Sequence, residues 1–234
     1  MTVPIAADTG GVTVRGELTV PADATGTIVL AHDSAVCRHS PRIDAVVRTL
    51  QDNRLATIVA DLLDPREEGR DDVHGDVDLL ATRLLGVLDE VRGRMVPGDF
   101  PLALFGSGAA AAAALVSAAD HPQWIDAVVV RDGRPGLAGP WLDRVTAPVL
   151  FLVGEGDKPG LRESQRAGAL LGGPHELRIV PGATHLFEQR EALEGVAVLA
   201  SFWLRAHLPG TGSVADGWAP AVEDRRASDD KERR

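Results

Sequence analysis

Short, unbroken apolar runs alternate with amphipathic stretches along this chain. "GTIVLAHDS", "ATIVADLL", "PLALFG", "IDAVVVRDG" and "APVLFLVGEGD" carry few polar residues before their carboxyl ends. A strand covered on one face alternates in polarity, whereas one covered on both does not, so these runs predict central strands of a mostly parallel sheet. "GVTVRGELTVP" does alternate with period two, which predicts an opening hairpin or an edge strand. Helical spacing fills the gaps. Ile43, Val46, Val47 and Leu50 make one apolar stripe, with Ser40 as N-cap and Pro41 at the first helical position. Val77, Leu80, Ala81, Leu84, Leu88 and Val91 mark a longer amphipathic helix, after the charged loop "DPREEGRDDVHGD". Ala109–Ala119 and "LRESQRAGALLG" read as helices, "GLAGPWLDRV" as a short connection and "HELRIVPGATH" as a last strand. Residues 188–207 form a closing helix, with Leu193, Val196, Ala197, Ala200 and Leu204 inward. This rhythm predicts an α/β fold, a mostly parallel sheet with helices on both faces.

The 234 residues suffice for one domain with a substantial core, placed at residues 1–208. Residues 209–234 lose all periodicity and mix charge of both signs with Gly, Ser and Pro, which predicts a disordered charged tail. A net charge of −10 argues against nucleic acid or an anionic membrane as partner. The single cysteine, Cys37, rules out an internal disulfide framework. With no signal-peptide pattern at "MTVPIAADTGG" and no membrane-length apolar run, the expectation is a soluble cytoplasmic protein.

Candidate chemistry gathers where strands end, since sheets of this kind place their sites at the carboxyl ends of strands. "PLALFGSGAAAAAAL" (residues 101–115) passes from strand into helix without a break. Asp157 follows the penultimate strand, and His185 ends the last one in "GATHLFE". A sharp strand–helix turn, then an acid, then a histidine is the chain order of the α/β-hydrolase triad, and the chain resembles that superfamily. "AHDSAVCRHSPR", the small-residue turn, "RDGRPGLAGP" and "VPGATHLFE" narrow the likeness. They resemble the dienelactone-hydrolase-like family found alone or beside phosphoribosyltransferases in actinobacteria. The likeness spans residues 25–207. It implies the α/β-hydrolase fold, an esterase or lactonase ancestry, and His185 with Asp157 as retained partners of a nucleophile.

The departures from the family pattern are informative. Family members read F-G-A-S-T-G-A-A-A-A-L at the turn. Laid on that pattern without a gap, Phe105, Gly106 and Leu115 match and the nucleophile falls on Gly108. Physics favours the same frame, because the positions two before and two after a nucleophile must be small where strand and helix pass closely. Around position 108 these are Gly106 and Ala110; around Ser107 they would be Phe105 and Ala109. Ser107 is a catalytic candidate only if the elbow is shifted by one residue, and is otherwise a small turn residue. Asp33, Ala35 and Asp132 take family glycine positions. A carboxylate at Asp33 opposes the oxyanion of acyl transfer, where one lost donor costs about 3–4 kcal/mol. Asp33, Ser34, Gly108 and Ala109 are the expected ligand-pocket residues, walled by loops 62–76 and 132–141. Cys37, at a family serine position, reads as packing, and His32 and His39 read as structural.

Three readings stay open. One is a degenerate hydrolase that keeps its pocket for a small-molecule ligand or substrate, with a homo-oligomer or protein partner also open. The second is an esterase or lactonase that uses Ser107. The third is a non-hydrolytic enzyme in which His185, positioned by Asp157 and assisted by Asp33, transfers protons. Asp157 and His185 could equally survive as a buried structural hydrogen bond. No metal spacing, dinucleotide fingerprint or P-loop is present, so no cofactor is expected.

Overall fold

The computed structural model describes residues 2–209 apart from Gly10, Val36, Arg38, His39, residues 95–100, Leu186 and Glu188. The predicted tail therefore lies outside the described residues, Pro209 excepted. Eight strands form one sheet: β1 (Thr2–Asp8), β2 (Thr13–Thr19), β3 (Gly26–His32), β4 (Leu55–Asp61), β5 (Leu102–Gly108), β6 (Ala127–Gly133), β7 (Val149–Gly154) and β8 (His175–Val180). Their spatial order is β1-β2-β4-β3-β5-β6-β7-β8. β2 pairs antiparallel with both β1 and β4, and every other pairing is parallel. The opening hairpin is thus present, with a partner strand over "TVPIAAD" that the alternation of β2 alone does not reveal.

Helices α1 (Pro41–Asp52), α2 (Asp71–His74), α3 (Val77–Arg94), α4 (Ala110–Asp120), α5 (Lys158–Gly168) and α6 (Arg190–His207) connect and cover the strands. The connection after β6 is a kinked 3₁₀ segment, Pro135–Arg144, with Pro140 inside it. Two apolar cores result. One joins the sheet to α3, α4 and the 3₁₀ segment, and the other joins it to α1 and α6. Residues of β5 alternate between them: Leu102 and Leu104 face the α3/α4 side, while Ala103 and Phe105 face the α1/α6 side. Every residue of β3 and β4 is buried, which is why those runs show no polar alternation. No helix among the described residues is long and apolar enough to cross a membrane.

The packing of α4 on the sheet explains the alanine run. Ala109 to Ala114 are fully buried. A Cβ added at Gly106 would lie 2.5 Å from the Ala111 Cα and 2.8 Å from the Ala110 carbonyl oxygen. A Cβ at Gly133 would collide with that of Ala111. Strand and helix approach so closely that only glycine against alanine fits.

Candidate active site

β5 enters α4 through Gly108, whose φ of +59° is left-handed backbone that side chains disfavour. Position 108 is the apex of the turn. Ser107 is the second residue after Phe105 and so inherits the α1/α6 face of the sheet. Register places it in a row across three strands, because Ala31 pairs Gly106 and Ser107 pairs Arg131. Accordingly the Ser107 Oγ lies 2.9 Å from the His32 Nδ1, with both residues buried. Burial, reinforced by the Arg131 guanidinium, pushes the His32 pKa down to about 3 and holds the ring neutral. Arg131 stands 6.0 Å from the Phe105 ring centroid and 5.9 Å from that of Phe187.

A carboxylate fills the space above Gly108. Asp33, directly after β3, accepts a hydrogen bond from the Ala109 N–H at 2.8 Å through Oδ2. Both of its carboxylate oxygens lie 2.6 Å from where a Cβ on residue 108 would stand. In an α/β-hydrolase, that space belongs to the nucleophile's side chain, and that N–H belongs to the oxyanion. Asp33 occupies both. A second carboxylate closes the neighbouring turn, since the Ala35 N–H donates to Glu68 Oε2 at 2.7 Å. Glu67, next to it, is clamped to α3 by the two Arg83 guanidinium nitrogens at 2.6 and 2.8 Å. Arg83 also donates to the Leu62 carbonyl at 2.9 Å, so the loop before α2 is tied down at both ends.

Asp132 joins the site through an irregularity in the sheet. Ser107 pairs Arg131 but Gly108 pairs Gly133, which leaves Asp132 as the extra residue of a bulge. Its φ of +44° is uncommon for a residue with a side chain. Burial raises its pKa to about 6, opposed by Arg131 and then modulated by Asp157, His185 and Asp33. These four residues come from β6, from the loops after β7 and β8, and from the end of β3.

Asp157 and His185 stand on adjoining loops. The Gly156 N–H donates to the Ala183 carbonyl at 2.9 Å, and the Gly182 N–H to Glu155 at 2.9 Å. A Cβ at Gly154 would lie 2.5 Å from the Thr184 carbonyl oxygen, so the close approach requires glycine. Asp157 is the N-cap of α5 and accepts the Gly160 N–H at 3.0 Å. His185 is exposed, and among the described residues no hydrogen bond or ion pair joins it to Asp157 or Ser107. Cys37 is half-buried, and burial pushes its thiol up, away from a reactive thiolate. Among the described residues no group of His, Cys, Asp and Glu could hold a metal ion.

The elbow, the sheet order and the place of Asp157 and His185 lead to the comparison with known proteins. A dienelactone hydrolase from Anabaena variabilis superposes with a TM-score of 0.81 at 37% identity, over 89% of this chain and 99% of that one. The chain belongs to the dienelactone hydrolase family. A Mycobacterium tuberculosis protein, provisionally named a phosphoribosyl transferase, is 44% identical over 203 residues, 87% of this chain. The chain spans about half, 46%, of the length of that relative. Est1E from Butyrivibrio proteoclasticus shares the fold, with a TM-score of 0.71 at 16% identity over 87% of this chain and 98% of its own. No family model matches the chain.

Against the dienelactone hydrolase framework, sequence reasoning names Asp132 and His32 without giving either a contact at the elbow, and does not single out Arg131. Asp132 carries a visible signal, a carboxylate at a family glycine position. Arg131, and the pairing of His32 with Ser107, carry none, because both follow from strand register. Ser34 lies with Asp33 and Ala35 on the β3–α1 turn, and Ala109 supplies the N–H that Asp33 takes.

Proposed function

We propose that this dienelactone hydrolase family member has left serine acyl transfer and keeps its elbow as a small-molecule site. The observation that carries this reading is the Asp33 carboxylate on the Ala109 N–H, above a glycine apex. Acyl transfer needs a nucleophile at that apex and an N–H free to receive a developing negative charge. Here the first is missing, and the second is held by a group of the same charge as the oxyanion. Ser107 does not replace it. Its Oγ is bonded to a buried imidazole whose low pKa makes it a poor base. The phosphoribosyl transferase name belongs to relatives twice as long. A phosphate would meet carboxylates at this elbow rather than a free helix N-terminus.

Turnover of short-chain p-nitrophenyl esters tests the reading. The expected rate is the buffer background, because loss of a triad serine costs on the order of 10⁶ in kcat. Clear turnover that disappears in Ser107→Ala would establish an esterase instead.

A further inference from the structure

We propose that the outer edge of β8 pairs with the same edge of a second copy of this chain, antiparallel and centred on Leu177, so that two sheets join into one. β8 ends the sheet, with β7 on one side and no strand on the other among the described residues. Register decides which of its backbone groups are already used. The Val149 N–H donates to the Pro174 carbonyl and the Glu155 N–H to the Val180 carbonyl, both at 3.0 Å. Val149 lies opposite His175 and Gly154 opposite Val180, so residues 174, 176, 178 and 180 turn their backbone groups toward β7. His175, Leu177 and Ile179 therefore turn theirs outward. An edge of this kind is a template for another strand unless proline or repelling charge blunts it. β1, at the other edge of the sheet, contains Pro4, which has no N–H to offer. β8 contains no proline.

The side chains of β8 complement themselves in one register. Glu176 and Arg178 lie on the α6 side, where Glu176 accepts the Trp203 Nε1–H at 3.2 Å and an Arg178 Nη2–H at 2.7 Å. The other three lie on the α5 side. A Cβ added at Gly168 would press on the His175 ring, Leu177 packs against the core that includes Ala167, and Ile179 is 49% exposed. Pairing centred on Leu177 sets residue 176 of one copy against 178 of the other, and 175 against 179. Each Glu176 then faces an Arg178 at the non-hydrogen-bonded positions, where opposed side chains stand closest. On the opposite face Leu177 meets its copy and each Ile179 meets a His175, while the outward backbone groups bond across the seam.

Moving the centre by one residue sets Glu176 against Glu176, or Arg178 against Arg178, and like charges directly opposed are unfavourable. A two-fold contact presents one patch from both copies, so self-complementarity in a single register fits that symmetry. Both α5 and α6 touch β8. The same axis lays each helix beside its copy, one pair on either face of the joined sheet. That adds to the strand seam the area a stable dimer needs, about 1,200–2,000 Å² in total.

Sedimentation velocity of the full chain, from about 1 to about 100 μM, tests this. A dimer is expected within that range. Arg178→Glu turns both opposed pairs into like charges and should raise the dimer dissociation constant by about 10-fold or more. Adding Glu176→Arg to that variant restores opposite charges in the same register and should bring the dimer back. Ile179→Pro removes an outward N–H without touching the β7 ladder, and should weaken the dimer while far-UV circular dichroism stays unchanged. A wild-type chain that stays monomeric over the whole range would overturn the proposal. A dimer that persists undiminished in both Arg178→Glu and Ile179→Pro would do the same, because it would use another surface.

Discussion

A serine placed at position 108 would set its Cβ 2.6 Å from both oxygens of Asp33, far inside any permitted contact. Two costs follow. The apex backbone, at φ +59°, disfavours a side chain by about 1–2 kcal/mol. Asp33 must also turn away from the Ala109 N–H, and a hydrogen bond to a charged group is worth about 1.5–3 kcal/mol. Gly108→Ser should therefore destabilise the protein by about 2.5–5 kcal/mol. Asp33→Gly alone loses only the hydrogen bond, about 1.5–3 kcal/mol. In the double variant that bond is already gone, and the serine meets no carboxylate. The two changes should then fall short of additivity by about 1.5–3 kcal/mol, well above the few tenths expected of independent sites. Urea unfolding of the four proteins at pH 7 measures this coupling directly. Additivity would mean that Asp33 does not hold the apex space in solution. Esterase assays of the same proteins give a second reading: Gly108→Ser alone should recover little turnover, and the double variant more. Full activity in the single variant would refute the role given to Asp33.

Other outcomes follow from the same geometry. Gly106→Ala drives a methyl group against the backbone of Ala110 and Ala111 and should cost about 1–3 kcal/mol or more, read as a fall in the urea midpoint. Glu67→Ala leaves Arg83 buried without its bidentate partner, and should cost about 3–5 kcal/mol and loosen the Glu68–Ala35 contact. The native Asp132 binds its proton more tightly than the unfolded chain does, so stability should fall as pH rises from about 4 to about 6 and then level off. A full shift of that size corresponds to about 3 kcal/mol, which solvent at a half-buried carboxyl reduces to about 1 kcal/mol. Asp132→Gly should flatten that slope, and an unchanged slope would show that another group titrates. Ser107→Ala removes the hydrogen-bonded partner of a buried imidazole and should cost about 1–3 kcal/mol without altering ester turnover.

The unbroken apolar runs of β3, β4 and β5 determine by themselves that these strands are central and covered on both faces, because burial on both sides permits no polar alternation. The glycine and alanine at positions 106 and 110 likewise determine the elbow's frame, since a steric requirement at fixed spacing is written in consecutive residues. Gly108 at the apex follows from the same local reasoning. Which group fills the space above that glycine is not a local matter. Asp33 reaches it from the end of a neighbouring strand, 75 positions earlier in the chain, and its contact with Ala109 exists only once β3 and β5 are in register. Strand register also turns Ser107 toward His32. A one-residue slip between β5 and β6 brings Asp132 into the site, and α5 engages Asp157 as its cap. Local pattern sets which segments become strand, helix and turn, because it depends on burial and sterics within a few residues. Only the packed sheet decides which carboxylates meet, because that depends on distances between segments that share no sequence neighbourhood.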